Sequence, residues 1–197
     1  PFRYGINSLL LNARGKQFVA SEFLLNIEPR QHRRTTTPWF QLDCSGADYD
    51  HQQCHNQSGQ LQVYGALGSR AGIVLDLDLD GDLDIVTNDF NSAPMLLLSN
   101  LTEQQPDLGY LKINLVGSAS NRNGLGALIR VYTGEHIYSK RHDGLSGYLA
   151  QSLLPLYFGL DHATSIDSIQ VRWPSGQQQT LSGPLPINQL LTVEEPL

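Results

Sequence analysis

The 197-residue sequence lacks long apolar runs and is poor in cysteine, methionine and basic residues. It contains no run of about eighteen apolar residues, so no membrane-spanning helix is predicted. No signal peptide is visible after Pro1, and a start other than Met suggests a processed or partial chain. Thirteen basic residues against nineteen acids give a net charge of -6, which offers no basis for a nucleic-acid groove.

The two cysteines, Cys44 and Cys54, lie in a polar, glycine-containing stretch. They could close a short disulfide loop in an oxidising compartment. Zinc is an alternative, because His51 and His55 would add two ligands, but the spacing matches no standard zinc motif. Free thiols are the third possibility. We favour the disulfide.

Patterns typical of catalysis are incomplete. Ser146 lies in Gly-Leu-Ser-Gly-Tyr, which lacks the second glycine of a nucleophile elbow at the required offset. Residues 124–126 read Gly-Leu-Gly, but Ile129 stands where a dinucleotide fingerprint needs glycine. His136 and His142 have no paired nucleophile in the sequence pattern. We therefore expect a protein that is not an enzyme.

What the sequence does contain is an acidic segment at residues 76–84, with five aspartates in nine residues. Carboxylates at its first, third, fifth and ninth positions, with glycine at the sixth, form the kind of oxygen cage that calcium requires. Without a cation, five neighbouring aspartates would repel one another. The apolar runs at 73–75 and 83–86 predict a buried strand on each side. The alternative is an acidic, solvated turn.

This segment begins like an EF-hand and then departs from it. Thr87 occupies position twelve, where an EF-hand has a bidentate Glu, and the flanks are predicted strands rather than helices. We therefore predict a strand-loop-strand site for Ca²⁺, with Mg²⁺ as the weaker alternative. The predicted ligands are the side chains of Asp76, Asp78, Asp80 and Asp84 and the backbone carbonyl of Asp82, with Gly81 allowing the turn.

Before the acidic segment, residues 4–18 predict a strand, a turn at 14–16 and a second strand. Residues 91–100 repeat the pattern of 7–12, a polar turn followed by a leucine strand and an asparagine, which indicates a repeated sheet unit. The stretch between them is less regular. It contains a basic patch, interpreted as a solvated loop, and the pair Trp39 and Phe40, expected to anchor an insertion onto the sheet. The patch consists of Arg30, His32, Arg33 and Arg34.

From about residue 108 to 196, apolar and polar residues alternate strictly. Turn signals separate the alternating runs at 123–124, 143–144, 174–176 and 183–184. The pattern predicts an antiparallel, sandwich-like β domain. Its predicted inward positions are Leu111, Ile113, Leu115, Ala127, Ile129, Val131, Ile169, Val171 and Trp173.

Two family resemblances follow from these motifs. Residues 76–86 with 88–94 resemble the FG-GAP (VCBS-type) repeat, the blade unit of integrin-α-like propellers. Residues 117–127, 144–151, 156–160 and 171–176 resemble the ASPIC/UnbV domain of cartilage acidic protein and its bacterial relatives. The resemblance implies an all-β chain, with propeller blades over 1–105, a loop insertion at about 29–70, and an ASPIC/UnbV domain over 106–197. It also implies calcium in the blade loop and a secreted or surface location.

The function expected from these features is that of a calcium-stabilised extracellular or cell-surface interaction module. Its partner would be a protein or a glycan on the cell surface or in the matrix, without nucleic acid and without a membrane span. One alternative is a carbohydrate-binding protein in which Trp39, Tyr64 or Trp173 offers a stacking face. Another is the accessory C-terminal part of a larger propeller enzyme.

Overall fold

The computed structural model describes residues 8–13, 15–21, 36–66, 69–89, 93–147 and 150–197. Its chain divides into two compact units. The first contains Pro1–Gly72 and Val86–Leu97, and the second contains Ile73–Ile85 and Leu98–Leu197. The acidic segment therefore belongs to the same unit as the C-terminal part of the chain. The predicted basic patch at 30–34 lies outside the described residues.

The described residues of the first unit include two antiparallel hairpins. Strands β1 (Leu10–Asn12) and β2 (Phe18–Ala20) form one, in agreement with the predicted strand-turn-strand pattern. Strands β3 (Thr36–Asp43) and β4 (Gln60–Ala66) form the other, with a short 3-10 helix (Gln52–Cys54) in the connection between them. A small core of Leu42, Cys44, Cys54 and Val63 lies at the base of this second hairpin.

The hairpin of β3 and β4 lies within the stretch expected to be a loop insertion. Threonine and aromatic residues favour extended backbone there, although Pro38 interrupts the pattern. The strand accommodates the proline at an irregularity. Pro38 pairs with Tyr64 and Phe40 pairs with Val63, so Trp39 is the extra residue of a bulge. Phe40 packs against the small core, whereas half of the Trp39 surface stays exposed.

The acidic segment connects two strands of a three-stranded sheet, as predicted. Strand β5 (Ser69–Leu75) precedes the segment, strand β6 (Asp84–Asp89) begins at its last residue, and strand β7 (Met95–Leu97) follows β6 at the sheet edge. The predicted leucine strand of the second repeat copy is thus β7. A short helix, α1 (Leu101–Gln104), follows.

The second unit also contains a two-sheet β domain. One sheet has the order β10-β9-β14-β15 and the other the order β13-β8-β16, and the all-β prediction is confirmed. The strands are β8 (Tyr110–Val116), β9 (Leu128–Thr133), β10 (His136–Arg141), β13 (Leu156–Gly159), β14 (Ile166–Arg172), β15 (Gln178–Leu185) and β16 (Gln189–Glu194). A separate pair, β11 (Leu145–Gly147) with β12 (Ala150–Gln151), lies between β10 and β13 in sequence.

One apolar core joins the two sheets. Every predicted inward residue of β8, β9 and β14, together with Ala127 and Trp173, is at most 4% exposed. The alternation therefore identified the buried face of each strand correctly. Phe158 from β13 and Val193 from β16 complete the facing sheet.

Two details differ from the predicted antiparallel domain. Strand β16 pairs with β8 in parallel, so the C-terminal strand follows the direction of the strand beside it. Gly183 and Pro184, predicted to form a turn, lie inside β15 instead. There the register with β14 shifts by one residue, so the two residues form a bulge. A side chain at position 183 would collide with the backbone carbonyls of Ile166 and Asp167.

Candidate cation site and the contacts that hold it

The acidic segment is a tight loop whose own aspartates hold its backbone. The Asp80 amide donates to Asp78 Oδ1 over 3.4 Å, and the Asp82 amide donates to Asp80 Oδ1 over 3.0 Å. Gly81 has a φ of +101°, a value that favours glycine. These contacts close a sharp turn between β5 and β6, as the strand-loop-strand prediction requires.

Three of the predicted ligands come together. Asp76, Asp78 and Asp84 each offer a carboxylate oxygen, and these oxygens lie within 4.8 Å of one another. Such a group could hold a metal ion. Asp80 is not part of this group, and its oxygens accept from the Asp82 amide and the Thr102 hydroxyl. The Asp82 side chain faces Thr102, whose amide donates to Asp82 Oδ2 over 2.9 Å.

Two carboxylate oxygens of the loop have no hydrogen-bond partner within the part of the chain that the structure describes. Asp76 Oδ1 and Asp82 Oδ1 are buried and accept no hydrogen bond from any residue that the structure describes. A buried, unsatisfied carboxylate oxygen is costly, and a hard cation is the ligand that such oxygens bind. Partial loss of water contact, and then the negative charges of Asp80 and Asp84, raise the pKa of Asp78. The residues present could therefore hold a metal ion.

Both carboxylate oxygens of Asp84, the last aspartate of the loop, accept hydrogen bonds from the backbone. Asp84 Oδ2 accepts from the Leu77 amide over 2.7 Å, and Asp84 Oδ1 accepts from the Ser99 amide over 2.8 Å. Asp84 is 1% exposed. Each of its oxygens has a second lone pair that can still face a cation. Asp84 thus links the loop to the segment that precedes helix α1.

A lysine of the C-terminal domain neutralises the first aspartate. Lys112 Nζ, on β8, lies 2.6 Å from Asp76 Oδ2. The two side chains are 15% and 2% exposed, so this ion pair is largely shielded from water. Nζ also lies 5.4 Å from the centroid of the Tyr110 ring. The alternation placed Lys112 on the polar face of β8 but gave no sign that an acidic loop covers that face.

Two tyrosines contact the turn of the loop. The Tyr157 hydroxyl donates to the Gly81 carbonyl over 2.8 Å, and the Tyr157 ring stacks on the Tyr110 ring with centroids 5.8 Å apart. A side chain at position 81 would collide with the Tyr110 ring. Burial, followed by the nearby charges of Asp76 and Asp82, raises the pKa of Tyr157 to about 12. The raised pKa keeps the hydroxyl protonated, and able to donate, above the ordinary tyrosine value of 10.0.

These contacting residues were missed at the sequence level: Ser99, Thr102, Tyr110, Lys112 and Tyr157. Each lies between 15 and 76 residues along the chain from the loop residue that it contacts, so local spacing could not reveal them. One signal was available. A lysine between two apolar residues on a predicted sheet, in a chain with a concentrated acidic loop, is a candidate counter-charge.

A second carboxylate, outside the loop, also escaped prediction. Glu195 is 4% exposed and accepts from four donors. They are the amides of Ser118 and Ser120 and the hydroxyls of Ser120 and Ser175. Burial raises the pKa of Glu195, but the hydrogen bonds from Ser175, Ser120 and Ser118 outweigh it and lower that pKa to about 2. This network fastens the C-terminal end of β16 to two turns of the domain.

The predicted disulfide is present. Cys44 and Cys54 are bonded, with Cα atoms 5.1 Å apart, and both side chains lie in the small core of the first unit. This excludes the zinc and free-thiol alternatives in the bonded state. The His51 ring instead accepts from the Gln53 amide at the start of the 3-10 helix.

The aromatic residues proposed as sugar platforms fall into two groups. Trp39 and Tyr64 are 50% and 53% exposed on the β3 and β4 hairpin. Trp173 is 2% exposed and its indole nitrogen donates to Gln179. Trp173 is therefore a core residue and offers no stacking face, contrary to that part of the carbohydrate hypothesis.

One histidine considered for catalysis is also structural in character. His142 is 7% exposed, and its amide donates to the Ala127 carbonyl. Burial lowers the pKa of its ring, and Asp143 offsets this only in part. His136 instead lines an open cavity of about 470 Å³ at one end of the domain.

Comparison with known families agrees with the C-terminal resemblance. Residues 117–197 match the family model described as "ASPIC and UnbV". The ASPIC/UnbV resemblance of this segment is thereby confirmed. No curated protein matches the chain. No helix among the described residues is long and apolar enough to cross a membrane.

Proposed function

We propose that the protein is a calcium-stabilised interaction module of the extracellular space, the cell surface or the periplasm. The observation that carries the proposal is the incomplete carboxylate cage. Three aspartates each place a carboxylate oxygen within 4.8 Å of the others, and Asp76 Oδ1 and Asp82 Oδ1 are buried with no hydrogen-bond partner among the described residues. The disulfide between Cys44 and Cys54 supports an oxidising compartment, where calcium is abundant.

The role proposed for the ion is structural. When bound, Ca²⁺ supplies positive charge to the oxygens of Asp76, Asp78 and Asp84. The loop joins β5 to β6 and contacts α1, β8 and β13, so its shape influences much of the second unit. We further propose that β5, β6 and β7 are part of an FG-GAP-type blade. In this proposal the chain has no catalytic role of its own, and it acts as an accessory C-terminal part of a larger protein.

Thermal unfolding of the full chain tests the structural ion. In millimolar calcium the midpoint should exceed that in a calcium chelator, since a ligand at 100 times its Kd stabilises a protein by about 2.7 kcal/mol. Magnesium should give a smaller shift. Asp78→Asn should remove most of the shift, while Asp161→Asn, an exposed acid beyond the loop, should keep it. Equal midpoints with calcium and with chelator would exclude a structural calcium ion.

A second candidate function is carbohydrate binding at the disulfide-closed hairpin. Trp39 and Tyr64 are the exposed aromatic residues that favour it. A glycan array with the full chain would test it. Binding that is lost in Trp39→Ala and Tyr64→Ala and kept in Tyr49→Ala, a third exposed aromatic of the same hairpin, would support this function. An array with no bound glycan would leave a protein partner as the proposal.

A further inference from the structure

Asp76 contacts the Lys112 ammonium through one of its two carboxylate oxygens. Oδ2 is 2.6 Å from the ammonium, whereas Oδ1 of the same group is buried and has no partner among the described residues. A divalent ion bound through Oδ1 would therefore share its ligand with a lysine. Two cations on one carboxylate weaken each other's binding, because the negative charge is divided and the positive charges repel.

We propose that Lys112 is a built-in counter-cation that sets the calcium affinity of the acidic loop. This inference rests on the proposed calcium site. The ammonium keeps Asp76 paired and the loop folded when no calcium is bound. When calcium is present, the same charge weakens the site. Lys112 is thus a positioning and affinity-determining residue rather than an ion ligand.

The surroundings of Lys112 support this role. The side chain is only 15% exposed and its Nζ lies over the Tyr110 ring, so the ammonium is held in place rather than moving in solvent. In the β-sheet register, Lys112 lies opposite Tyr157, whose hydroxyl holds the Gly81 carbonyl. One cross-strand pair therefore contacts the loop at its first carboxylate and at its turn. The C-terminal β domain acts on the ion site through this pair.

Calcium titration calorimetry on the full chain tests the proposal. Lys112→Met should tighten the calcium Kd about tenfold, because the competing charge is gone and Asp76 Oδ2 becomes available. Lys112→Arg should leave the Kd within about twofold, since the positive charge remains. Lys140→Met makes the same change elsewhere in the domain, where Nζ lies over the Phe158 ring, and should leave the Kd unchanged.

Melting in chelator provides the second readout. Lys112→Met should unfold at a lower temperature than the wild-type chain without calcium, because a buried carboxylate loses its partner. Adding calcium should raise the melting temperature of this variant by more than it raises that of the wild type. If Lys112→Met folds in neither buffer, Lys112→Gln replaces it, since the amide can still donate to Asp76 without a charge. The tightened Kd is expected for this variant as well.

The outcomes separate the two proposals. Calcium binding by the wild type with an equal or weaker Kd in Lys112→Met and Lys112→Gln overturns the role of Lys112 and leaves the calcium site intact. Binding by these variants but not by the wild type supports the role of Lys112 and overturns the proposed calcium function of the natural chain. No binding by any of them overturns both.

Discussion

Two sets of buried carboxylates in the same unit differ in how many of their oxygens accept a hydrogen bond. Glu195 accepts from two amides and two hydroxyls, and neither of its oxygens is unpaired. In the acidic loop, Asp76 and Asp82 each keep one buried oxygen without a donor among the described residues. A carboxylate that the protein satisfies by itself indicates a structural fastener. One that the protein leaves incomplete has capacity for a further partner.

The largest expected loss of stability follows the removal of Asp84, whose two oxygens both accept from backbone amides. Asp84→Ala removes the acceptor for the Leu77 and Ser99 amides, so it should lower the free energy of unfolding by about 3 kcal/mol even in chelator. Urea denaturation measures the change. Asp84→Asn keeps one acceptor and should lose less. A loss below about 1 kcal/mol for the alanine variant would show that the loop does not depend on these bonds.

The next effect concerns the close approach of the loop to the aromatic pair. Gly81→Ala should cost about 2 kcal/mol, because the new methyl group meets the Tyr110 ring and the backbone is left-handed. Gly176→Ala is the matched control, since its φ of +96° is similar but nothing lies within 4 Å. Equal losses of stability in urea would mean that backbone strain alone, without the contact to Tyr110, accounts for the cost.

The third test distinguishes the two carboxylate sets by their response to pH and calcium. The pKa of Glu195 is lowered in the folded state from 4.5 to about 2, so its stabilisation is present above pH 4.5 and is lost as the pH falls toward 2. Glu195→Gln should be less stable than the wild type at pH 7. Its free energy of unfolding should fall less than that of the wild type on acidification. Its response to calcium should equal that of the wild type. Glu194→Gln, the exposed neighbour, should behave like wild type in all three respects.

The smallest effect is expected at the hydroxyl that holds the turn. Tyr157→Phe removes one hydrogen bond to the Gly81 carbonyl and should cost about 1 kcal/mol in urea denaturation. Calcium affinity should weaken with it, because the loop is less well held. Tyr132→Phe loses a comparable hydroxyl contact on the other sheet and should leave calcium affinity unchanged. A weaker affinity in both variants would point to a general loss of stability.

The sequence predicts the acidic loop and the buried strand faces, but it does not predict the distant residues that contact the loop. Spacing within nine residues is enough to propose the acidic loop, and alternation identifies the buried face of β8, β9 and β14. Local patterns cannot show that Lys112 and Tyr157 contact that loop, because those contacts depend on how distant strands pair. The parallel pairing of β16 with β8 escapes prediction for the same reason.

The predicted metal ligands show how far spacing within the loop predicts side-chain positions. The aspartates at the first, third and ninth positions of the loop come together, as their spacing suggested, but Asp80 turns to Thr102 and the Asp82 side chain does the same. Both side chains accept from Thr102, which lies on the helix that follows the loop. Asp82 as a carbonyl ligand and Asp80 as a side-chain ligand remain predictions for a calcium-bound crystal structure to test.

The position of β8 has a practical consequence for anyone who wishes to produce the C-terminal domain alone. The family match begins at residue 117, one residue after β8 ends. Yet β8 is the middle strand of its sheet, between β13 and β16, and it supplies Leu111, Ile113 and Leu115 to the core. A recombinant fragment cut at the family boundary would leave both outer strands without hydrogen-bond partners. Such a fragment is expected to aggregate, whereas one that starts before Ile73 keeps the sheet and the acidic loop together.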